Sequence, residues 1–346
     1  MLVGQARAVA RRWVDAEASG LPGFAGAFYH GSTNWLPDDA PLPPNSDLDL
    51  MIVLADDYPL MKPGKFSYRG VLLEVSSLSS AELRSPDLVL GQSHLAGSFR
   101  TPGIIADPTG RLTTFQAAVS RDYAKRHWVR RRCEHARDKV LQNLQSLREA
   151  NPFHDQVAAW LFATGVTTHV LLVAGLENPT VRRRYVAVRE LLNVYDHASF
   201  YEPLLELLGA AHLSRARVTQ HLAALATAFD AAIGVIKTPF PFAADLTAQA
   251  RPIAIDGSRA LIERGDHREA IFWMVATYSR CQKMFHHDAP EELQDRFTDG
   301  YRLLLDDLGI SSSAALQERG EQVQGFLPQV WAVAEAIMAA NPAIEA

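Results

Sequence analysis

Tyr29-His30-Gly31-Ser32 and, 14 residues after Ser32, Ser46-Asp47-Leu48-Asp49-Leu50-Met51-Ile52-Val53-Leu54 decide how this chain is read. Between them runs a loop carrying Pro37, Pro41, Pro43 and Pro44. The apolar run after Asp47 has the length and residue types of a buried β-strand. Side chains alternate faces along a strand, so Asp47 and Asp49 point the same way, about 7 Å apart. Two carboxylates side by side repel each other and lose hydration, a costly arrangement unless a cation lies between them. A hard divalent cation such as Mg²⁺ meets that need, and it commonly brings phosphate oxygens with it.

The next apolar segment, Gly70-Val71-Leu72-Leu73-Glu74-Val75-Ser76, contains one charge. Glutamate is rarely buried without a partner. If this strand pairs with the Asp47–Leu54 strand, Asp47, Asp49 and Glu74 converge on one sheet face. That is the layout of a metal-dependent phosphoryl or nucleotidyl transfer site. Gly31 allows close backbone approach to a ligand, and successive amides with the Ser32 hydroxyl offer phosphate contacts.

Gly31-Ser32, Ser46-Asp47-Leu48-Asp49 and Leu73-Glu74-Val75 resemble the signature of the nucleotidyltransferases with a DNA polymerase β-like fold. With the long helical part that follows, the chain looks most similar to aminoglycoside adenylyltransferases of the streptomycin/spectinomycin type. The motif resemblance ends near Gly110; beyond it only the architecture is similar. The resemblance implies Mg²⁺ on Asp47, Asp49 and Glu74, with Glu74 either a third metal ligand or the general base. It implies ATP or another nucleoside triphosphate as donor, its phosphates held near Gly31, Ser32 and Ser46. It further implies that the helical part adds basic and aromatic contacts to the nucleotide, for which Arg280 and Lys283 are the candidates. The acceptor implied is a small hydroxylated molecule such as an aminoglycoside. A protein acceptor, or a non-catalytic nucleotide-binding module, are the alternatives.

At 346 residues the chain is long enough for two domains, each with its own core. Strand-like alternation gives way to long helical stretches after Leu112. The expected fold class is therefore α+β: a nucleotidyltransferase domain over 1–112 with a small mixed sheet and flanking helices, then an all-α helical bundle over 113–346. The net charge of −5 disfavours a general nucleic-acid binder. Cys133 and Cys281 alone support neither a disulfide framework nor a zinc cluster. The first residues lack the pattern of a signal peptide, so a cytoplasmic monomer or homodimer is expected. Val157 to Leu176 contains no Asp, Glu, Lys or Arg across 20 residues, the minimum for a membrane span. Its Thr164, Gly165, Thr167, Thr168 and His169, and its missing interfacial anchors, favour a buried helix over a membrane partner.

The remaining charged features have simpler expectations. Lys62 and Lys65 read as solvated loop charges. Arg126, Arg130, Arg131 and Arg132 read as a solvated helix face paired with Glu134 and Asp138, and Arg182-Arg183-Arg184 likewise. Asp107 belongs to an Asp-Pro-Thr-Gly turn. His94 carries no catalytic spacing, and His286-His287-Asp288 reads as a surface helix end. Glu177, Glu190, Asp196 and Glu202 are the acidic candidates for a cationic acceptor.

Overall fold

Alternation along residues 47–54 sorts the side chains onto two faces, and the sheet is built around that division. In the computed structural model, which describes every residue except Pro44 and Pro241, β1 (Phe24–His30), β2 (Leu48–Leu54), β3 (Gly64–Tyr68), β4 (Val71–Ser79) and β5 (Ile104–Ala106) form one sheet. Those two prolines, members of the loop before Asp47 and of the 238–241 break, lie outside the described residues. The strand order is β3-β4-β2-β1-β5, with β2 and β4 parallel and the other neighbours antiparallel. The tight β3–β4 connection uses Arg69 and Gly70, both at positive φ (48° and 80°), as a two-residue hairpin with matching twist requires.

One face packs under α1 (Val3–Trp13) and the π-helical turn Val14–Ala18 that continues it. Leu48, Leu50, Ile52 and Leu54 of β2, with Val71, Leu73 and Val75 of β4, are buried there against Ala6, Val9, Ala10 and Val14. Period-2 alternation then sends Asp49 and Glu74 to the opposite face. That face is partly covered by Phe99 and Phe115, whose rings follow Phe28 at 4.6 and 5.1 Å centroid spacings. Ser85 caps α2 (Pro86–Leu90), and α3 (Arg111–Asp122) follows β5. Asp107 closes the intervening turn by accepting from the Thr113 amide and hydroxyl, both at 2.8 Å, which is the turn role its surroundings suggest.

The chain divides into two compact units, Met1–Arg132 with Pro342–Ala346, and Cys133–Asn341. Helix α4 (Arg126–Gln145) begins in the first and ends in the second. The second unit is helical: α5 (Phe153–Ala174), α6 (Arg184–Val194), α7 (Tyr201–Leu208), α8 (Arg215–Val235), α9 (Gly257–Glu263), α10 (His267–Asp288), α11 (Glu291–Asp307) and α12 (Ser313–Ala340). Both α5 and α8 are long and apolar enough to cross a membrane, but α5 is the core helix of this unit, packed against α6, α10 and α12. The mixed sheet followed by a helical region is the α+β class expected from the sequence.

Two arginine runs depart from the expected solvated faces. Arg132 is 1% exposed and donates to the Leu90 and Tyr123 carbonyls at 3.1 and 2.6 Å. It shares a helical face with the buried Val129 and Ala136, so the fold draws it inward. Arg184 is equally buried, its guanidinium 3.8 Å from the centroid of the Phe272 ring, where cation–π attraction replaces hydration.

His154, at the start of α5, is buried and its Nε2 has no hydrogen-bond partner. Burial pushes its pKa down from 6.5 to about 4; Asp155 opposes this, whereas His286, Lys283 and His287 reinforce it. The folded state thus holds the ring neutral while the unfolded chain takes up a proton near 6.5. Its contribution to stability is intact above that pH and is lost as pH falls towards about 4. His154→Phe should remove about 3 kcal/mol of that acid-induced loss. Chemical denaturation at several pH values between these limits checks this; parallel slopes for variant and wild type would refute it.

Candidate active site

Asp49 sits in register with Glu74 across the parallel β2–β4 pair, and Asp47 precedes it on the same face. Ligand oxygens of Asp47, Asp49 and Glu74 all lie within 4.8 Å of one another. The three carboxylates expected to converge do so, and for the expected reason: two strands in register with the same alternation.

Asp49 is the innermost. Burial, then the charges of Asp47 and Glu74, push its pKa well above the usual carboxylate range, with Lys65 opposing them. On the β1 side the neighbour in register is His30. Its Nδ1 lies 2.6 Å from Ser98 Oγ, and burial pushes its pKa down to about 4, so it adds no charge at neutral pH.

Gly31 follows at φ 67°, ψ −163°, backed directly against Asp49. A Cβ there would fall 1.8 Å from Asp49 Oδ2, so only glycine leaves that carboxylate its place. A short 3₁₀ turn, Ser32–Trp35, comes next, with Ser32 exposed. Ser46 Oγ donates to the Asp47 carbonyl at 3.2 Å, which fixes the loop end just before the acidic strand.

Lys65 is not the solvated loop charge expected from the sequence. It lies on β3 directly opposite Glu74, its side chain 6% exposed. Its Nζ is 2.5 Å from Glu74 Oε2 and 3.3 Å from Asp47 Oδ2. Pro63-Gly64 suggests a loop, but Gly64 at φ 76° opens the strand instead of breaking it. The polar–aromatic alternation Lys65-Phe66-Ser67-Tyr68 before Arg69-Gly70 was the signal for this strand.

Arg280 and Lys283 lie on α10 within the helical unit. Arg280 pairs with Asp245 at 3.5 Å and lies over the Trp273 and Phe242 rings. Lys283 holds both oxygens of Asp155, at 2.9 and 3.1 Å. Glu177, Glu190, Asp196 and Glu202 are exposed on the same unit, and Glu202 forms a forked pair with Arg268. His94 is exposed.

Three hard, anionic oxygen donors on two adjacent strands, with a glycine keeping one of them unobstructed, suit a cation such as Mg²⁺. An acidic trio on a small mixed sheet, followed by a helical unit, fits a generic nucleotidyltransferase. No protein-family model matches the chain, and no curated protein matches it. Among solved structures it is similar to a nucleotidyltransferase-like protein from Exiguobacterium sibiricum 255-15, at 12% identity over 87% of this chain and 89% of that one, with a TM-score of 0.27.

Proposed function

We propose that the protein is a Mg²⁺-dependent nucleotidyltransferase that moves a nucleoside monophosphate, AMP from ATP, onto a hydroxyl of a small molecule and releases pyrophosphate. The acceptor class proposed is the aminoglycosides. The observation that carries the chemistry is the convergence of Asp47, Asp49 and Glu74 on one face beside Gly31. Residues 1–112 are proposed as the catalytic domain and 113–346 as the helical domain that completes substrate binding.

Asp47 and Asp49 would hold the cation, which supplies charge neutralisation for the triphosphate and the departing pyrophosphate. The chain's own residues do the rest. Gly31, Ser32 and Ser46 border the space where the phosphates are proposed to lie. Glu74 takes the proton from the acceptor hydroxyl; that oxygen bonds to the α-phosphorus as the bond to the pyrophosphate oxygen breaks. Arg280 and Lys283 are the proposed nucleotide contacts from the helical domain.

Calorimetric titration with ATP, GTP, CTP and UTP, with and without Mg²⁺, tests the donor half. The wild type should bind one donor in a Mg²⁺-dependent manner, and Asp47→Asn/Asp49→Asn should lose at least tenfold in affinity, about 1.4 kcal/mol. Equal binding by both proteins would remove the metal site from the reading. A pyrophosphate-release screen starting with aminoglycosides then tests the acceptor. Label appearing on a protein would replace the small-molecule acceptor; donor binding without release against any acceptor would leave a nucleotide-binding module.

A further inference from the structure

Four side chains stand in one lateral row across the sheet: Lys65 on β3, Glu74 on β4, Asp49 on β2 and His30 on β1, each the register partner of the next. Resting on the nucleotidyltransferase reading above, we propose that Lys65 is a built-in second cation of this site. Its ammonium keeps the Glu74 side of the trio, so the site takes a single divalent cation, on Asp47 and Asp49, where a three-carboxylate site would take two.

Charge and geometry support this together. The Lys65 ammonium offsets part of the negative charge that the three carboxylates gather, so less is left for divalent cations to balance. Lys65 is seated between two of the carboxylates, 2.5 Å from Glu74 and 3.3 Å from Asp47. Its position is set by the strands rather than by a flexible reach. Directly opposed residues on antiparallel strands have Cβ atoms about 4.5–5.5 Å apart, so the Lys65–Glu74 pair is a cross-strand neighbour. With its side chain 6% exposed, the lysine has already given up most of the freedom that a surface ion pair must lose on forming. A metal ion arriving on the Glu74 side would have to displace an ammonium already seated 2.5 Å from Glu74. On the Asp47–Asp49 side the contact of the ammonium is the longer one, 3.3 Å to Asp47.

The experiment is a manganese(II) titration of the full chain saturated with a non-hydrolysable ATP analogue, with free ion read by electron paramagnetic resonance. The wild type should saturate at one ion per chain. Lys65→Met, which keeps the stem and removes the charge, should saturate at two, and Lys65→Arg should return to one. Two ions on the wild type, or one on Lys65→Met shown to be folded by circular dichroism, would overturn the role of Lys65 and leave the transfer chemistry standing. No ion on the wild type would overturn both. Two ions on the wild type overturn the proposal even if Lys65→Met does not fold.

Discussion

Glu74→Gln is expected to lower the turnover of donor and acceptor to products by about 10³-fold while donor binding in Mg²⁺ is kept. The substitution preserves shape and removes only the ability to accept a proton as a carboxylate. A positioned general base contributes about 10²- to 10⁴-fold, which sets the size of the loss. Donor binding survives because Asp47 and Asp49, on the neighbouring strand, are untouched, and Glu74 is already engaged by Lys65 at 2.5 Å. The variant also strips Lys65 of its nearer partner, leaving the ammonium with Asp47 at 3.3 Å. A moderate fall in thermal midpoint should therefore accompany the loss of turnover, since removing one member of a largely buried pair leaves the other poorly compensated. Single-turnover pyrophosphate release and calorimetric donor binding on the same preparation check both halves. A parallel collapse of donor affinity and turnover would instead make Glu74 a metal ligand and count against the single-cation site.

What the sequence made legible, and what it hid, follows from how far each interaction reaches along the chain. The acidic trio was readable because its causes are local: Asp47 and Asp49 obey strand alternation, and Glu74 is conspicuous as the sole charge between Val71 and Val75. Only the pairing of the two strands had to be supplied, and the structure gives it as Asp49 opposite Glu74. Lys65 was hidden because Pro63-Gly64 masks the start of a short edge strand, and a lysine there reads like any solvated one until its cross-strand neighbour is known. Arg132 and Arg184 show the same limit in helices. A run of arginines is uniform as a sequence, and which member turns inward depends on what packs against that face. For Arg132 the helical neighbours Val129 and Ala136 were a local hint. For Arg184 the partner is Phe272, on another helix and remote in the chain, so no local pattern could announce it.

Gly31→Ala is expected to abolish Mg²⁺-dependent donor binding and to lower stability, both more than a backbone effect alone would. The backbone at φ 67°, ψ −163° lies in a region essentially reserved for glycine, and holding another residue there costs about 1–3 kcal/mol. To this is added a collision: the new methyl would lie 1.8 Å from Asp49 Oδ2 and 2.5 Å from its Cγ. Asp49 cannot yield by rotating freely, because Glu74 and Lys65 fill the row on one side and His30 the other. Relief requires either β1 to part from β2 or the carboxylate to leave its place among the three, and either breaks up the convergence of Asp47, Asp49 and Glu74. Gly70 supplies the control. It has φ 80° but open space around its Cβ position, so Gly70→Ala carries strain without collision. That variant should lose about 1–2 kcal/mol in chemical denaturation and keep its Mg²⁺-dependent donor binding. Equal losses of stability in the two variants, with donor binding retained in both, would mean that Gly31 serves only the turn. Loss of binding in Gly31→Ala alone would tie this glycine to the carboxylate it leaves room for.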